Sequence, residues 1–172
     1  MNDTFLPGNG FDTYEEQDRV LMGLSGSVRS GVAVRILQQQ GFAVAAAVVW
    51  LADTPEEHAA AEAAKALAKK LDVECLALNA EALAGQDVDA ARFAALLTAA
   101  DKLGIQYVAS GHYARMETDT QGVSHLFPPE SGAPDESNRL AALSPEVLAR
   151  LILPLGDFAP EDVEDMAKDF KL

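Results

Sequence analysis

Cysteine is almost missing from this 172-residue chain, which carries Cys75 alone. One cysteine excludes an intramolecular disulfide and a cysteine-rich metal site within these residues, and makes the cytoplasm the default compartment. Basic residues are also few, with 13 Lys and Arg against 27 Asp and Glu and a net charge of −14. Nucleic-acid affinity comes mainly from phosphate neutralisation by Lys and Arg, so this chain is not expected to hold a nucleic acid by itself. The densest basic group, Lys65, Lys69 and Lys70, has the spacing of a solvated helix face. No apolar run is long enough to cross a membrane as a helix, so no membrane partner is expected. The opening Met1-Asn2-Asp3-Thr4-Phe5 lacks the basic start and apolar core of a signal peptide. Two phosphate fingerprints are missing as well: neither G-x-x-x-x-G-K-S/T nor G-x-G-x-x-G occurs.

What is present reads as one α/β domain over residues 19–172, long enough for a sizeable core. Residues 1–18, with Pro7-Gly8-Asn9-Gly10 and Glu15-Glu16, read as a flexible N-terminal arm. A first strand is expected over 19–24 and a helix over 31–40, stopped by Gly41. The apolar run Ala43–Trp50 is a strand buried on both faces. Thr54-Pro55-Glu56-Glu57 signals a helix start and an alanine-rich helix to Leu71. A strand over 73–78, a helix over 88–103 ended by Gly104, and a strand over 105–110 follow. Residues 117–138 read as a long polar loop, and two short helices begin at Ser144-Pro145 and Pro160-Glu161. This alternation predicts a parallel sheet with helices on both faces, and ligands in such sheets sit at strand carboxyl ends.

The stretch Gly23-Leu24-Ser25-Gly26-Ser27-Val28-Arg29-Ser30-Gly31 falls between the first strand and the first helix. Free N–H groups and the helix dipole can make such a loop a phosphate cradle. The same residues also fit a tight turn with an N-cap serine, and local pattern alone leaves both readings open.

Three segments carry a resemblance. Residues 20–30 resemble the S-G-G-x-D-S PP-loop of the ATP pyrophosphatase superfamily. The segment Leu103-Gly104-Ile105-Gln106-Tyr107-Val108-Ala109-Ser110-Gly111-His112-Tyr113-Ala114-Arg115 is similar to L-G-A-D-x-I-A-T-G-H-Y-A-R of tRNA 2-thiouridylases. The segment Leu148-Ala149-Arg150-Leu151-Ile152-Leu153-Pro154-Leu155-Gly156 resembles that family's L-x-R-L-L-F-P-L-G. The resemblance implies an adenine nucleotide alpha hydrolase-like (PP-loop) fold. It implies ATP or AMP as ligand, with Ser25, Gly26, Ser27, Arg29 and Ser30 at the phosphates. Val49 and Trp50 would lie near adenine, and Gly111 and His112 beside the nucleotide. It covers about residues 19–172, and no counterpart of the family's central and C-terminal tRNA-binding domains is expected within these residues.

The departures from the family pattern shape the functional expectation. The second loop glycine is Ser27, strained if its φ must be positive. The family's aspartate is Arg29, which cannot coordinate Mg²⁺ but can bind phosphate or fill the site itself. The stretch matching the family's first catalytic cysteine is Gln86-Asp87-Val88-Asp89-Ala90-Ala91, with no sulfur. Asp135-Glu136-Ser137 stands where the family has K-D-Q-S, and the lysine becomes Pro134. Cys75, inside a strand beside Glu74, reads as a small hydrophobe. His58 and His125 read as surface residues, and Arg115 as a salt-bridging or phosphate-binding one. No catalytic residue and no metal ligand is expected. The sequence therefore points to a degenerate PP-loop domain that binds a nucleotide, a small anion, a partner protein or a second copy of itself. The alternative is an adenylating enzyme that uses an external sulfur donor.

Overall fold

The computed structural model describes residues 18–129 and 132–172, so the expected arm over 1–18 lies outside the described residues except for its last. The fold grows from β1 (Arg19–Gly23), whose Val20, Leu21 and Met22 are completely buried. Burying such side chains contributes roughly 1.5–3 kcal/mol each. Side chains alternate across a strand, so Val20 and Met22 enter one apolar cluster and Leu21 the other. The first cluster is closed by α1 (Val28–Gln39), α2 (Pro55–Leu71) and α5 (Pro160–Asp169). The second is closed by α3 (Val88–Leu103) and the short α4 (Pro145–Arg150). Helices therefore cover both faces, as the alternation predicts.

Five parallel strands form the sheet: β2 (Ala43–Trp50), β3 (Cys75–Asn79), β4 (Tyr107–Ala109) and a two-residue β7 (Leu151–Ile152) join β1. Their order is β3-β2-β1-β4-β7. The chain builds outward from β1 to β2 and β3, then crosses back through α3 to lay β4 on the other side of β1. The strand order thus reverses between β1 and β4. The crevice at their carboxyl ends is the place where open α/β sheets take ligands.

Helix boundaries follow their chemistry. Thr54 caps α2 by accepting from the Glu57 N–H, and Pro55 opens it. Gly104 ends α3 at φ 69°. Three expectations need correction. First, α1 starts at Val28, three residues earlier than predicted, because Ser27 accepts from the Ser30 N–H and supplies the cap inside the small-residue loop. Second, the polar stretch 117–138 is not one loop. It contains much of an antiparallel hairpin, β5 (Arg115–Thr118) with β6 (Ser124–Phe127), whose tight turn is held by Asp119 accepting from Gln121 and Val123. Third, β7 was not foreseen, since residues 151–152 extend what reads as a helix.

Gly26 fixes the loop against α2. Its φ is +83°, and a Cβ there would stand 2.8 Å from the Ala63 Cβ and 3.1 Å from the Ala64 nitrogen. Gly26→Ala combines left-handed strain of about 1–2 kcal/mol with this backbone clash. The expected outcome is a lower urea midpoint with an unchanged slope, and a midpoint equal to wild type would show that the loop does not pack on α2.

Candidate functional site

A cavity of about 320 Å³ opens at the carboxyl ends of β1, β2 and β4. Its floor is the loop after β1. The loop is tied to β2 by the Leu24 N–H, which donates to the Ala47 carbonyl at 2.8 Å. The Ser25 and Ser27 hydroxyls lie 2.9 Å apart. The buried Ser30 hydroxyl donates to the Ser27 carbonyl at 2.7 Å. The loop is thus an N-capped turn that lines a pocket.

Arg29 stands in the first turn of α1, where the helix dipole disfavours a cation and no acidic residue is present. Its counter-ion comes from far along the chain. Both terminal nitrogens of Arg29 meet a single oxygen of Glu136, each at 3.4 Å. The other Glu136 oxygen accepts from the Tyr113 N–H at 2.8 Å. The guanidinium also lies 4.6 Å from the centre of the Tyr113 ring, a cation–π contact. Burial pushes the Tyr113 hydroxyl above its ordinary pKa.

The opposite wall is one face of α3, with Asp89, Arg92, Phe93 and Leu96 spaced at i, i+3, i+4 and i+7. Arg139 grips Asp89 side-on, Nε to Oδ2 at 3.2 Å and Nη2 to Oδ1 at 3.3 Å. His112 Nε2 faces the same carboxylate at 3.6 Å, while its Nδ1 bonds the Ser110 hydroxyl at 2.7 Å. The hydrogen bond from His112 and the Arg139 guanidinium hold the Asp89 carboxyl below the usual carboxylate range. Arg92 reaches Glu57 across the mouth, at 3.4 Å. Guanidiniums and carboxylates therefore balance around the pocket: Arg29 with Glu136, Arg139 with Asp89, Arg92 with Glu57.

Of the residues singled out from sequence, Ser25, Ser27, Arg29, Ser30, Val49, Gly111 and His112 all line this cavity. Gly26 does not face it but turns the loop behind it. Trp50 is not among the lining residues, and its ring packs at 5.0 Å on His58. Sequence reading missed Glu57, Arg92 and Arg139 as pocket residues and saw Asp89 only as the place of an absent thiol. The α3 spacing and the Thr54-x-x-Glu57 pattern were the available signals. His58 and His125 are surface residues, each paired with a neighbouring aspartate, and Arg115 pairs with Glu117 on the hairpin. Cys75 lies half-buried in β3, away from the cavity, with its thiol pushed up by burial. Among the described residues, no group of three His, Cys, Asp or Glu side chains is placed to hold a metal ion.

Comparison with known proteins agrees with this fold. The sequence model of a family described as the tRNA methyl transferase HUP domain matches residues 88–172. The tRNA-specific 2-thiouridylase MnmA of Yersinia pestis strain Pestoides F is 33% identical over 184 residues, covering 91% of this chain and 49% of that protein. The same protein of Yersinia pseudotuberculosis serotype O:1b matches equally. The chain is a PP-loop protein related to the tRNA-specific 2-thiouridylases. It spans about half the length of the curated 2-thiouridylases it matches. Two solved structures share the fold. A U34-tRNA thiolase, NcsA, from Methanococcus maripaludis, solved with its 4Fe–4S cluster, aligns with a TM-score of 0.61 at 15% identity over 90% of this chain and 57% of that one. A predicted tRNA methyltransferase subunit from Methanocaldococcus jannaschii aligns at 0.52 with 14% identity, over 88% of this chain and 74% of that one.

Set against the 2-thiouridylase loop, the Ser27 substitution carries no backbone strain. Its φ is −76°, ordinary for any residue, so the expected penalty is absent. The Arg29 substitution is answered by Glu136, which stands at the glutamine of the K-D-Q-S stretch. The second departure thus neutralises the first.

Asp89 gives a pH test. Its folded pKa is lowered, so its contribution is present at neutral pH and is lost as pH falls through the folded pKa. Asp89→Asn leaves Arg139 and His112 without their carboxylate and should cost roughly 1–3 kcal/mol at neutral pH. Urea unfolding should show the gap from wild type closing below the ordinary carboxylate range. A gap that persists unchanged in acid would show that the charge of Asp89 is not what stabilises the site.

Proposed function

We propose that this protein is a PP-loop domain that binds an adenine nucleotide or a small anion without Mg²⁺ and does not thiolate tRNA by itself. The observation that carries this reading is the Arg29–Glu136 pair at the phosphate end of the cavity. In the 2-thiouridylase pattern that end carries a carboxylate suited to a metal. Here it carries a guanidinium at the start of α1, next to Ser25, Ser27 and Ser30. Arg29 meets one Glu136 oxygen at 3.4 Å, longer than a good charge-assisted bond. A phosphate offering shorter contacts from two oxygens can therefore displace it. The apolar side of the cavity, with Leu24, Val48 and Val49, suits a nucleobase. The absence of cysteine from the lining residues and the net charge of −14 argue against sulfur delivery to tRNA. A cytoplasmic setting belongs to the same reading, on the lone half-buried Cys75.

A second reading keeps an enzyme. Ser25, Ser30, Gly111 and His112 retain the family residues and converge on one cavity, which suits adenylation of a substrate with sulfur from an external donor.

Calorimetric titration with AMP and ATP, with and without Mg²⁺, separates these readings. Binding should be independent of Mg²⁺, should weaken with salt, and should fall by tenfold or more in Arg29→Asp, as expected for a charge-assisted contact of roughly 1.5–3 kcal/mol. ATP binding only with Mg²⁺, with pyrophosphate released, would establish the enzyme reading instead. If neither nucleotide nor phosphate binds, the ligand reading fails and association with a partner protein or a second copy remains. Purified protein given unmodified tRNA, ATP and a sulfur donor should form no thiouridine, and detectable product would overturn the non-thiolating assignment.

A further inference from the structure

The cavity holds a second cationic group whose hydrogen bonding is incomplete. Arg92 projects from α3 and lines the pocket. A guanidinium offers a side-on fork, Nε with Nη2, that matches the two oxygens of a carboxylate. Arg139, in the same cavity, shows that fork filled, with both Asp89 oxygens engaged at 3.2 and 3.3 Å. Arg150, at the sheet edge, fills the same fork with the Gln106 and Ile105 carbonyls at 2.6 and 2.8 Å. Arg92 does not fill it. Its Nη2 reaches Glu57 Oε2 at 3.4 Å, and its Nε is buried with no hydrogen-bond partner among the described residues. Glu57 cannot complete the fork without losing another bond, because its Oε1 already accepts from the Leu51 N–H at 2.8 Å, at the end of β2. The Arg92 side chain is 42% exposed, so its head group has room to turn toward the cavity.

A buried donor without a partner is a standing cost that native proteins rarely keep unless something else supplies the acceptor. We propose that Arg92 is a second anion subsite, which takes the carboxylate of a small ligand whose body packs on Phe93 and Leu96. Carboxylate is favoured over phosphate because the fork, with Nε open and Nη2 held by Glu57 only at 3.4 Å, is planar, suits two oxygens and lies beside apolar side chains. Arg29 and the serine loop then serve one ligand at the start of α1, and Arg92 serves another on α3. This inference rests on the reading of the cavity as a ligand site and adds the class of the second occupant.

The test is a nitrogen–proton spectrum of the arginine Nε–H groups, with the Arg92 signal assigned by its loss in Arg92→Lys. Sodium acetate is the probe, with sodium chloride at equal ionic strength as control. The Arg92 signal should move and saturate with acetate and stay put with chloride. Glu57→Gln keeps the acceptor for Leu51 and removes the internal competitor, so acetate should bind it roughly tenfold tighter, the effect of one charge-assisted contact. A signal that responds equally to chloride, or not at all, overturns the subsite. A response to inorganic phosphate without one to acetate overturns the carboxylate assignment. An AMP titration of wild-type protein, read at the Arg29 signal, reports on the other end. AMP binding without an acetate response removes only the second subsite, whereas an acetate response without AMP binding removes only the nucleotide reading.

Discussion

The parallel pairing of β1 with β2 on one side and β4 on the other is the constraint from which the site follows. Once β1 is flanked in that way, its carboxyl end and that of β4 open in the same direction. The serine loop and the Ser110–Tyr113 turn are then held face to face. The approach is close: a Cβ on Gly111 would stand 3.5 Å from the Ser30 Cα. Gly26 closes the other side by packing on Ala63 of α2. The loop is thus gripped between a helix and a strand end.

Charge is organised around this crevice against the trend of the whole chain. The protein carries a net charge of −14, yet Arg29, Arg92 and Arg139 gather at one pocket. Each is answered by a carboxylate from another element, as bringing guanidiniums close together requires. The pairs differ in quality. Asp89 is engaged by both oxygens, whereas Glu136 and Glu57 each give one oxygen to a backbone N–H and the other to arginine, that of Glu136 being shared between Arg29 and, at 3.5 Å, Arg139. The cations held through one oxygen are the ones that a ligand can take over. That inequality distinguishes the two ends proposed as binding groups from Arg139, which is structural cement between α3 and the segment after the hairpin.

Substitutions that look damaging one at a time are compatible together. Ser27 replaces a loop glycine at a position with φ −76°, where it gains a capping role for α1. Arg29 replaces an acidic residue at a helix start and would oppose the dipole alone, but Glu136 lies against it. The loop is therefore coherent as built.

Much of the architecture was legible from the residues. The continuous apolar run at 43–50, the Thr54-Pro55 start and the Gly104 stop are local signals, set by backbone conformation and side-chain burial, and they match β2, α2 and α3. The motif residues Ser25, Ser30, Gly111 and His112 were legible as neighbours through the family pattern. Short elements were not: β7 has two residues, and the β5–β6 hairpin is polar, so neither carries a periodicity long enough to read. The carboxylate partners were also invisible, because Arg29 and Glu136 are 107 residues apart and Arg92 and Glu57 are 35 apart. By itself the sequence determined where the longer strands and helices lie, which small-residue loop joins the first strand to the first helix, and that these residues carry one cysteine. Only the tertiary structure decided that the loop's arginine is neutralised and that Arg92 keeps a donor unfilled. Ion pairing depends on distances between side chains from separate elements, and those distances exist only after the sheet has set its order.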